Sequence, residues 1–487
     1  MRISVVRSAI PPEEVKVLDL NARHLGVRTI ELMENAGAVV ARHVLDGYPA
    51  ADSVGVLCGR GNNGGDGFVA ARYLSNDKRV TVFTLEEPSE SMSDLTMENL
   101  SKVRGLSKNI VAFSAKEHDV VVDAMLGIGL RGRPREPYAK TIRNLNRSRK
   151  RVVSVDVPSG WPSDLSVRAD ATVTFHAPKK GMNRKNSGRI VVADIGIPDE
   201  AEKYCGPGDF SLLPARKPDA RKGDAGRVLV IGGGPYTGAP AFAGMAAMRA
   251  GADLAFVATP EPAALPVAVY SPSLIVRSLE GERLSEDHVT ELLTLSRSVD
   301  VVAIGPGLGS ASETIRGVQR FVQRCAKPMV IDADAIHACG AQPQILRKKS
   351  AVITPHAGEF RRLTGKALGT DDPLKRGERV KEGATKLRAT ILLKGQVDVI
   401  SDGTYIKLNR TGNNALAVGG TGDVLTGLVA SLIAQGAQPF HAARIGAFAM
   451  GLAGDLAFEE KSYGLVATDV IEKIPIVLRR YELDSRE

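Results

Sequence analysis

The sequence predicts an α/β protein built from two parallel-sheet domains. Three observations lead there. The chain has 487 residues, more than one hydrophobic core usually serves, so at least two domains are expected. Short β-rich runs alternate with helical patterns in both halves, as in parallel sheets with crossover helices. Two segments far apart in sequence pass from a strand through a glycine-rich stretch into a helix, the phosphate-binding arrangement of doubly wound sheets.

The elements follow in order. Residues 29–45 read as an amphipathic helix carrying Leu32-Met33-Glu34-Asn35-Ala36-Gly37, with apolar positions at helical spacing. Strands are expected at 53–57, 80–84, 120–124, 152–156, 171–175 and 190–193. Residues 197–226 hold Pro198, Pro207, Pro214 and Pro218 without a sustained period. The domain break is expected there, giving domains 1–213 and 214–487. A second series opens at 227–231 and continues at 254–258, 299–304, 329–332, 351–354 and 390–394. An antiparallel pair, 397–401 and 405–408, turns at Asp402-Gly403.

Composition excludes several classes. Hydrophobic residues make up 43% and charged residues 24%, as in soluble globular proteins. No apolar run approaches the roughly 20 residues of a membrane span, so no membrane partner is expected. Met1-Arg2-Ile3-Ser4-Val5-Val6-Arg7 lacks a secretory core, and a cytoplasmic location follows as the expectation. Cys58, Cys205, Cys325 and Cys339 show no metal-ligand spacing and read as buried free thiols. The net charge is +9. Its basic concentrations, 143–151 and 216–222, are short and carry no interleaved aromatics. They suit polyanionic small molecules or simply a basic surface, and no nucleic-acid partner is expected.

The most informative stretch is Asn413-Asn414-Ala415-Leu416-Ala417-Val418-Gly419-Gly420-Thr421-Gly422-Asp423, which opens a long apolar helix. Glycines let the backbone approach a ligand closely, and free N–H groups at a helix start attract an anion. Asp423, in the first turn, is placed to take a proton from a hydroxyl attacking a phosphoryl group. Taken alone, the stretch reads equally well as a turn before a buried helix.

In the N-terminal half three strand ends carry polar residues: Asn62-Asn63-Gly64-Gly65-Asp66, Asp123 with the loop to Arg133, and Asp156-Val157-Pro158-Ser159-Gly160. Ligands of open α/β sheets bind at carboxyl strand ends, so the three share one crevice. Asn63, Asp123 and Ser159 form an oxygen set suited to a hard cation. Each by itself is more often a cap or turn former than a ligand, and the coincidence of the three favours the site.

These segments, with Leu32–Gly37, resemble the NAD(P)H-hydrate epimerase domain of the YjeF N-terminal type. The resemblance implies a Rossmann-like three-layer fold that interconverts the R and S forms of hydrated NADH and NADPH. It implies a potassium ion on Asn63, Asp123 and Ser159. It places the substrate on Asn62, Asn63, Gly64, Gly65, Asp66, Gly127, Ile128, Gly129, Leu130, Arg131, Gly132, Arg133 and Tyr138, with Asp156 catalytic against the damaged ring.

In the C-terminal half, Lys222–Arg227, Gly305-Pro306-Gly307-Leu308-Gly309, Asp332-Ala333-Asp334-Ala335, Thr354-Pro355-His356-Ala357-Gly358-Glu359 and Leu393-Lys394-Gly395 precede the Gly419–Asp423 loop. This order resembles the ADP- or ATP-dependent NAD(P)H-hydrate dehydratase domain, a ribokinase-like fold. The resemblance implies a hydrated nucleotide on Ala239, Gly307, Gly309, His356 and Asp423. It implies ADP or ATP on Lys394, Gly395, Gln396, Val397, Asp398, Asn413, Gly419, Gly420, Thr421 and Gly422, with a magnesium ion on the phosphates and Asp423 as base. Ala415-Leu416-Ala417 replaces the family's Gly-Met-Ala pattern, and the loop Gly233–Ala239 is unusual. Both departures bear on the choice between ADP and ATP.

The expectation is a fused repair enzyme acting on NADHX and NADPHX, with a homo-oligomer expected. Two alternatives stand beside it: a small-molecule kinase with a Rossmann-like regulatory domain, and a non-catalytic scaffold. Presence of Asn63, Asp123, Asp156 and Ser159 argues against the scaffold.

Overall fold

The computed structural model describes residues 8–84, 92–347 and 349–484. Residues 1–7, on which the expectation of no secretory leader rests, lie outside the described residues. The chain divides into two compact units, Met1–Pro198 and Asp199–Glu487.

Among the described residues of the first unit, seven strands form one sheet. They are β1 Ser53–Cys58, β2 Arg79–Thr84, β3 Ser107–Asn109, β4 Val120–Ala124, β5 Arg151–Val155, β6 Ala171–Phe175 and β7 Arg189–Ala193. Their order is β3-β2-β1-β4-β5-β6-β7, and every pairing is parallel. Strand order reverses between β1 and β4, so the loops leaving these two strands diverge and open a crevice at their carboxyl ends. All six expected strands are present within a residue or so at each end. The additional strand, β3, is a three-residue edge of Ser-Lys-Asn with two exposed positions. A solvated edge needs no apolar period, so no pattern marked it.

The glycine-rich stretch after β1 differs from expectation. It is not a loop: helix Asn62–Leu74 begins at Asn62 and contains Gly64, Gly65 and Gly67. These glycines serve packing. A Cβ at Gly64 would lie 2.0 Å from the Gly59 carbonyl oxygen, and one at Gly67 would lie 2.6 Å from the Ala124 side chain. The helix therefore rides directly on β1 and β4, and its N-terminus is held in the crevice.

In the second unit the described strands are β8 Arg227–Ile231, β9 Leu254–Pro260, β10 Leu274–Leu279, β11 Val301–Ile304, β12 Met329–Ile331, β13 Ala351–Ile353, β14 Thr390–Leu393, β15 Asp398–Ser401 and β16 Ile406–Asn409. They form one sheet in the order β10-β9-β8-β11-β12-β13-β14-β15-β16. The expected hairpin supplies the antiparallel pairings at β14–β15 and β15–β16. The others are parallel. The edge strand β10, with Arg277 and Ser278 exposed, was not expected. The buried helices Thr421–Ala434 and Pro439–Lys461 pack in one large core with Val228, Val230 and Val301.

The compact units divide at Pro198/Asp199, fifteen residues before the expected break at 213/214. The proline-rich segment is not a free linker, because it is anchored to the second unit. Cys205 N–H donates to the Leu408 carbonyl at 2.7 Å. Asp209 and Arg444 form an ion pair at 2.5 Å with both side chains fully buried. Phe210 joins the same core. Prolines mark irregular backbone, and irregular backbone can still be packed.

All four cysteines are free and buried, as the sequence implied. No helix among the described residues is long and apolar enough to cross a membrane.

Candidate active sites

In the first unit, β1, β4 and β5 are adjacent, so the three polar strand ends do meet in one crevice. Asp123 ends β4 and is fully buried. Its carboxylate accepts from Ser154 Oγ and from the Ser159 N–H, each at 2.8 Å, and from Ser159 Oγ. Ser159 Oγ in turn accepts from the Leu126 N–H at 2.8 Å. Burial raises the Asp123 pKa, and the Ser159 and Ser154 donors oppose that shift. Asn63 lies across the crevice, its Cβ 3.2 Å from where a Cβ on Gly127 would stand. The Asn63 Nδ2 is buried without a partner among the described residues.

Asp156 follows β5 in a left-handed conformation with φ 61°, a costly position for a residue with a Cβ. Packing holds it there. Its carboxylate accepts from Lys179 Nζ, from the Phe175 N–H at 3.2 Å and from Thr174 Oγ1 at 3.3 Å. Lys179 is 1% exposed and also donates to Thr174 Oγ1 at 2.8 Å. Two further carboxylates crowd this pair. Burial first, and then the charge of Asp156, push Asp19 up to about 7. The same causes, with Asp19 added, raise Asp66 well above its usual range.

Asp19 and Lys179 were missed by the sequence reading. Lys179 follows the carboxyl end of β6, where Phe175-His176-Ala177-Pro178 runs into a basic pair; that change of character was the available signal. Asp19 sits on helix Glu14–His24. The Ile10 carbonyl accepts from the Lys180 N–H at 2.7 Å, which straps the segment leading into this helix beside Lys179. Nothing local in the sequence announces that approach. Tyr138 begins helix Tyr138–Ser148 and packs on the small core around Val121 and Ile142. Arg131, Gly132 and Arg133 are exposed, and Arg133 pairs with Asp164 at 3.2 Å.

In the second unit the order reverses between β8 and β11. The loops leaving those strands press together: the Gly233 N–H donates to the Pro306 carbonyl at 2.8 Å. Gly307 has φ 70°, and a Cβ there would lie 3.2 Å from that of Ala239 and 2.4 Å from the Tyr236 carbonyl oxygen. The Gly309 N–H donates to Asp334 at 2.7 Å. Ala239, Gly307 and Gly309 thus form one wall.

The same unit holds a cavity of about 690 Å³, lined by Lys394, Gly395, Gln396, Asp398, Asn413, Thr421 and Gly422 among others. Drug-sized and cofactor ligands occupy cavities of this order. Val397, Gly419 and Gly420, expected in the same set, are not in its lining. Gly420 instead makes the left-handed turn, φ 96°, that starts helix Thr421–Ala434. Asp398 is pushed up to about 6 by burial, against hydrogen bonds from Asn409 and the Gly395 N–H.

Asp423 stands in the first turn of that helix, half-buried. Burial foremost, then the charge of Asp332, lift it to about 7, while Lys394 pulls the other way. Burial lowers the Lys394 pKa, but Asp332, Glu359 and Asp423 outweigh it and the net shift is upward. At neutral pH Asp423 is therefore poised between acid and base. His356 caps helix Ala357–Thr364: its Nδ1 accepts from the Gly358 N–H at 3.0 Å and its side chain is 61% exposed. The capping role is structural, and on the outer ring edge Nε2 stands 3.6 Å from Glu359 Oε1.

The chain has relatives along nearly its whole length. Residues 228–476 match the family model described as NAD(P)H-hydrate dehydratase, and residues 29–181 match that of the YjeF-related protein N-terminus. The bifunctional NAD(P)H-hydrate repair enzyme of Pyrobaculum aerophilum is 46% identical over 97% of this chain and 98% of its own. That of Hyperthermus butylicus is 42% identical over 96% of this chain and 92% of its own. A solved ribokinase-like superfamily protein from Enterococcus faecalis is 26% identical, with TM-score 0.50, covering 57% of this chain and 96% of that one. The chain belongs to the family of bifunctional NAD(P)H-hydrate repair enzymes.

Proposed function

We propose that the first unit epimerises R- and S-NAD(P)HX and that the second dehydrates S-NAD(P)HX at the expense of ADP or ATP. The observation that carries the reading is the Asp423 carboxylate, raised to about 7, at a glycine-rich helix start beside Lys394 and a 690 Å³ cavity. The epimerase role belongs to Met1–Pro198 and the dehydratase role to Asp199–Glu487.

In the dehydratase, the adenine nucleotide fills the cavity and the hydrated nicotinamide lies along Ala239, Gly307 and Gly309, near His356. Asp423 takes the proton of the C6 hydroxyl as its oxygen attacks the terminal phosphorus. AMP or ADP leaves, depending on the nucleotide. The ring nitrogen then expels phosphate, a proton leaves C5, and the double bond returns. Lys394 and the N–H groups at the helix start hold the phosphates. Among the described residues no group of three His, Cys, Asp or Glu side chains is arranged around a metal. A magnesium ion on the nucleotide's phosphates would neutralise part of their charge.

In the epimerase, Asp156 faces the C6 carbon, held by Lys179. Departure and return of the C6 hydroxyl need proton transfer and a stabilised cation, both of which a carboxylate supplies. The buried Asp123 carboxylate, the Ser159 hydroxyl and the Asn63 amide, with one buried end unpartnered, fit a potassium ion. An amide's nitrogen and oxygen are interchangeable in shape, so its oxygen can face the ion. Potassium would order these three strand ends.

The fusion is chemically coherent, because dehydration of one epimer alone strands the other. Incubation of mixed NADHX epimers with ADP tests the reading. Full recovery of NADH absorbance is expected. Phosphoryl transfer to thiamine- or pyridoxal-type alcohols without NADH recovery would instead identify a small-molecule kinase. The homo-oligomer proposal is checked by the mass of the chain in solution.

A further inference from the structure

Behind the glycine-rich helix start of the second unit lies a carboxylate that no step above uses. Asp332 follows β12 and is 1% exposed. Three side chains from three other elements donate to it, each at 2.8 Å: Lys394 Nζ, which follows β14, Thr354 Oγ1, which follows β13, and Thr426 Oγ1 of helix Thr421–Ala434. A buried carboxylate so fully engaged has little capacity left for substrate. It is also too well placed to be incidental. Thr426 lies three residues after Asp423, so its tether sets the rotation and depth of the turn that carries Asp423. A Cβ at Gly422 would stand 3.4 Å from Lys394 Nζ and 3.9 Å from Asp332 Oδ2. The helix start therefore lies directly against the Lys394–Asp332 pair.

We propose that Asp332 is a positioning residue of the dehydratase: it holds Lys394 and, through Thr426, the Asp423 turn in one fixed geometry around the phosphate to be transferred. Asp332 touches neither substrate. Its charge acts in two directions. It keeps Lys394 as an ammonium oriented toward the phosphate side. It also opposes ionisation of Asp423, which keeps that base near neutrality rather than in the ordinary carboxylate range.

This inference rests on the assignment of Asp423 as base and Lys394 as phosphate ligand, so the test runs four variants of the full chain together with wild type. These are Asp423→Asn, Asp332→Asn, Asp332→Glu and Thr426→Val, each assayed for S-NADHX dehydration with ADP across pH. The cooperative thermal unfolding of the second unit serves as the folding control, and epimerase activity reports the first unit. Asp332→Asn is expected to lower kcat on the order of 10²-fold, the cost of about 1 Å of misplacement at a reacting centre. It should also move the acid limb of the pH–rate profile to lower pH, because Asp423 loses its like-charged neighbour. Thr426→Val should lower kcat by a smaller factor with the acid limb unmoved, since the charge remains. Asp332→Glu should restore the position of the limb while kcat stays low. A residue that merely stabilised the fold would leave the limb where it is. Wild-type kcat and an unmoved limb in Asp332→Asn, with Asp423→Asn inactive, would overturn this inference alone. Activity in Asp423→Asn would overturn the mechanism beneath it. Should Asp332→Asn fail to fold, wild-type kcat in Thr426→Val overturns the tether.

Discussion

In the first unit Lys179 donates to Asp156, and in the second Lys394 donates to Asp332 at 2.8 Å. Both pairs join a lysine after one parallel strand to an aspartate after another. They differ in which member faces the chemistry. In the first unit the lysine is the hidden one, 1% exposed, and the aspartate sits in a left-handed backbone position at the crevice. Asp19 and Asp66 crowd it, which suits a site that stores and moves protons. In the second unit the aspartate is hidden and the lysine faces the cavity, while a separate carboxylate, Asp423, is presented on a helix start. That suits a site receiving phosphate, where positive charge must lie in front and negative charge behind. Under the proposed function, the same ion pair would serve either a proton or a phosphoryl transfer, according to which end the strands present.

The glycines divide in the same way. Gly64 and Gly67 let a helix lie against its sheet. Gly420 instead turns the backbone, and Gly422 lies against Lys394.

Four experiments sharpen this contrast. The largest effect is expected from Asp423→Asn, which should cost about 10²–10⁴ in dehydration rate as a lost general base. Adenine nucleotide binding should persist, and epimerisation should be unchanged. Near-wild-type NADH recovery by this variant would remove Asp423 from the mechanism.

Next comes the domain boundary. A fragment of residues 214–487 lacks Asp209 and leaves Arg444 buried beside a vacant place, whereas 199–487 keeps the pair. Breaking a buried pair typically costs about 3–5 kcal/mol. Chemical denaturation should rank 199–487 well above 214–487, and equal midpoints would contradict the anchoring role of residues 199–213.

Asp123→Ala should lower R-epimer consumption on the order of 10²-fold through misplacement of Asp156 and abolish its potassium response, with dehydration of the S epimer unaffected. The measurement is epimerase rate across a potassium titration. An unaltered response would make Asp123 a turn-forming residue only.

The smallest effect concerns His118, buried with neither ring nitrogen partnered among the described residues, stacked on Phe113 and edge-to-face with Phe83. Burial lowers its pKa below the ordinary 6.5, and Lys108, Lys150 and Arg79 add to this against Glu117. The native state then binds fewer protons than the unfolded one. This contribution to stability is complete above about 6.5 and is lost as pH falls toward the lowered value. His118→Leu should flatten that part of the stability–pH curve of the first unit. A curve unchanged by the substitution would show that His118 finds a partner in solution.

The central strands were legible because a strand buried on both faces must be a continuous apolar run, and Val54–Cys58, Val120–Val122 and Val228–Ile231 are such runs. Strand ends and helix starts were legible from local pattern as well, and Asp156, Asp123, Lys394 and Asp423 stand at them. The edge strands β3 and β10 were not, since a solvated edge carries no period. Other features belong to the tertiary structure alone. Lys179 meets Asp156 from a different strand, Asp332 gathers three side chains distant in sequence, and residues 199–213 anchor through a pair separated by 235 positions. Backbone pattern is a property of neighbouring residues, whereas a buried charge finds its partner only after the sheet has set the order of its strands.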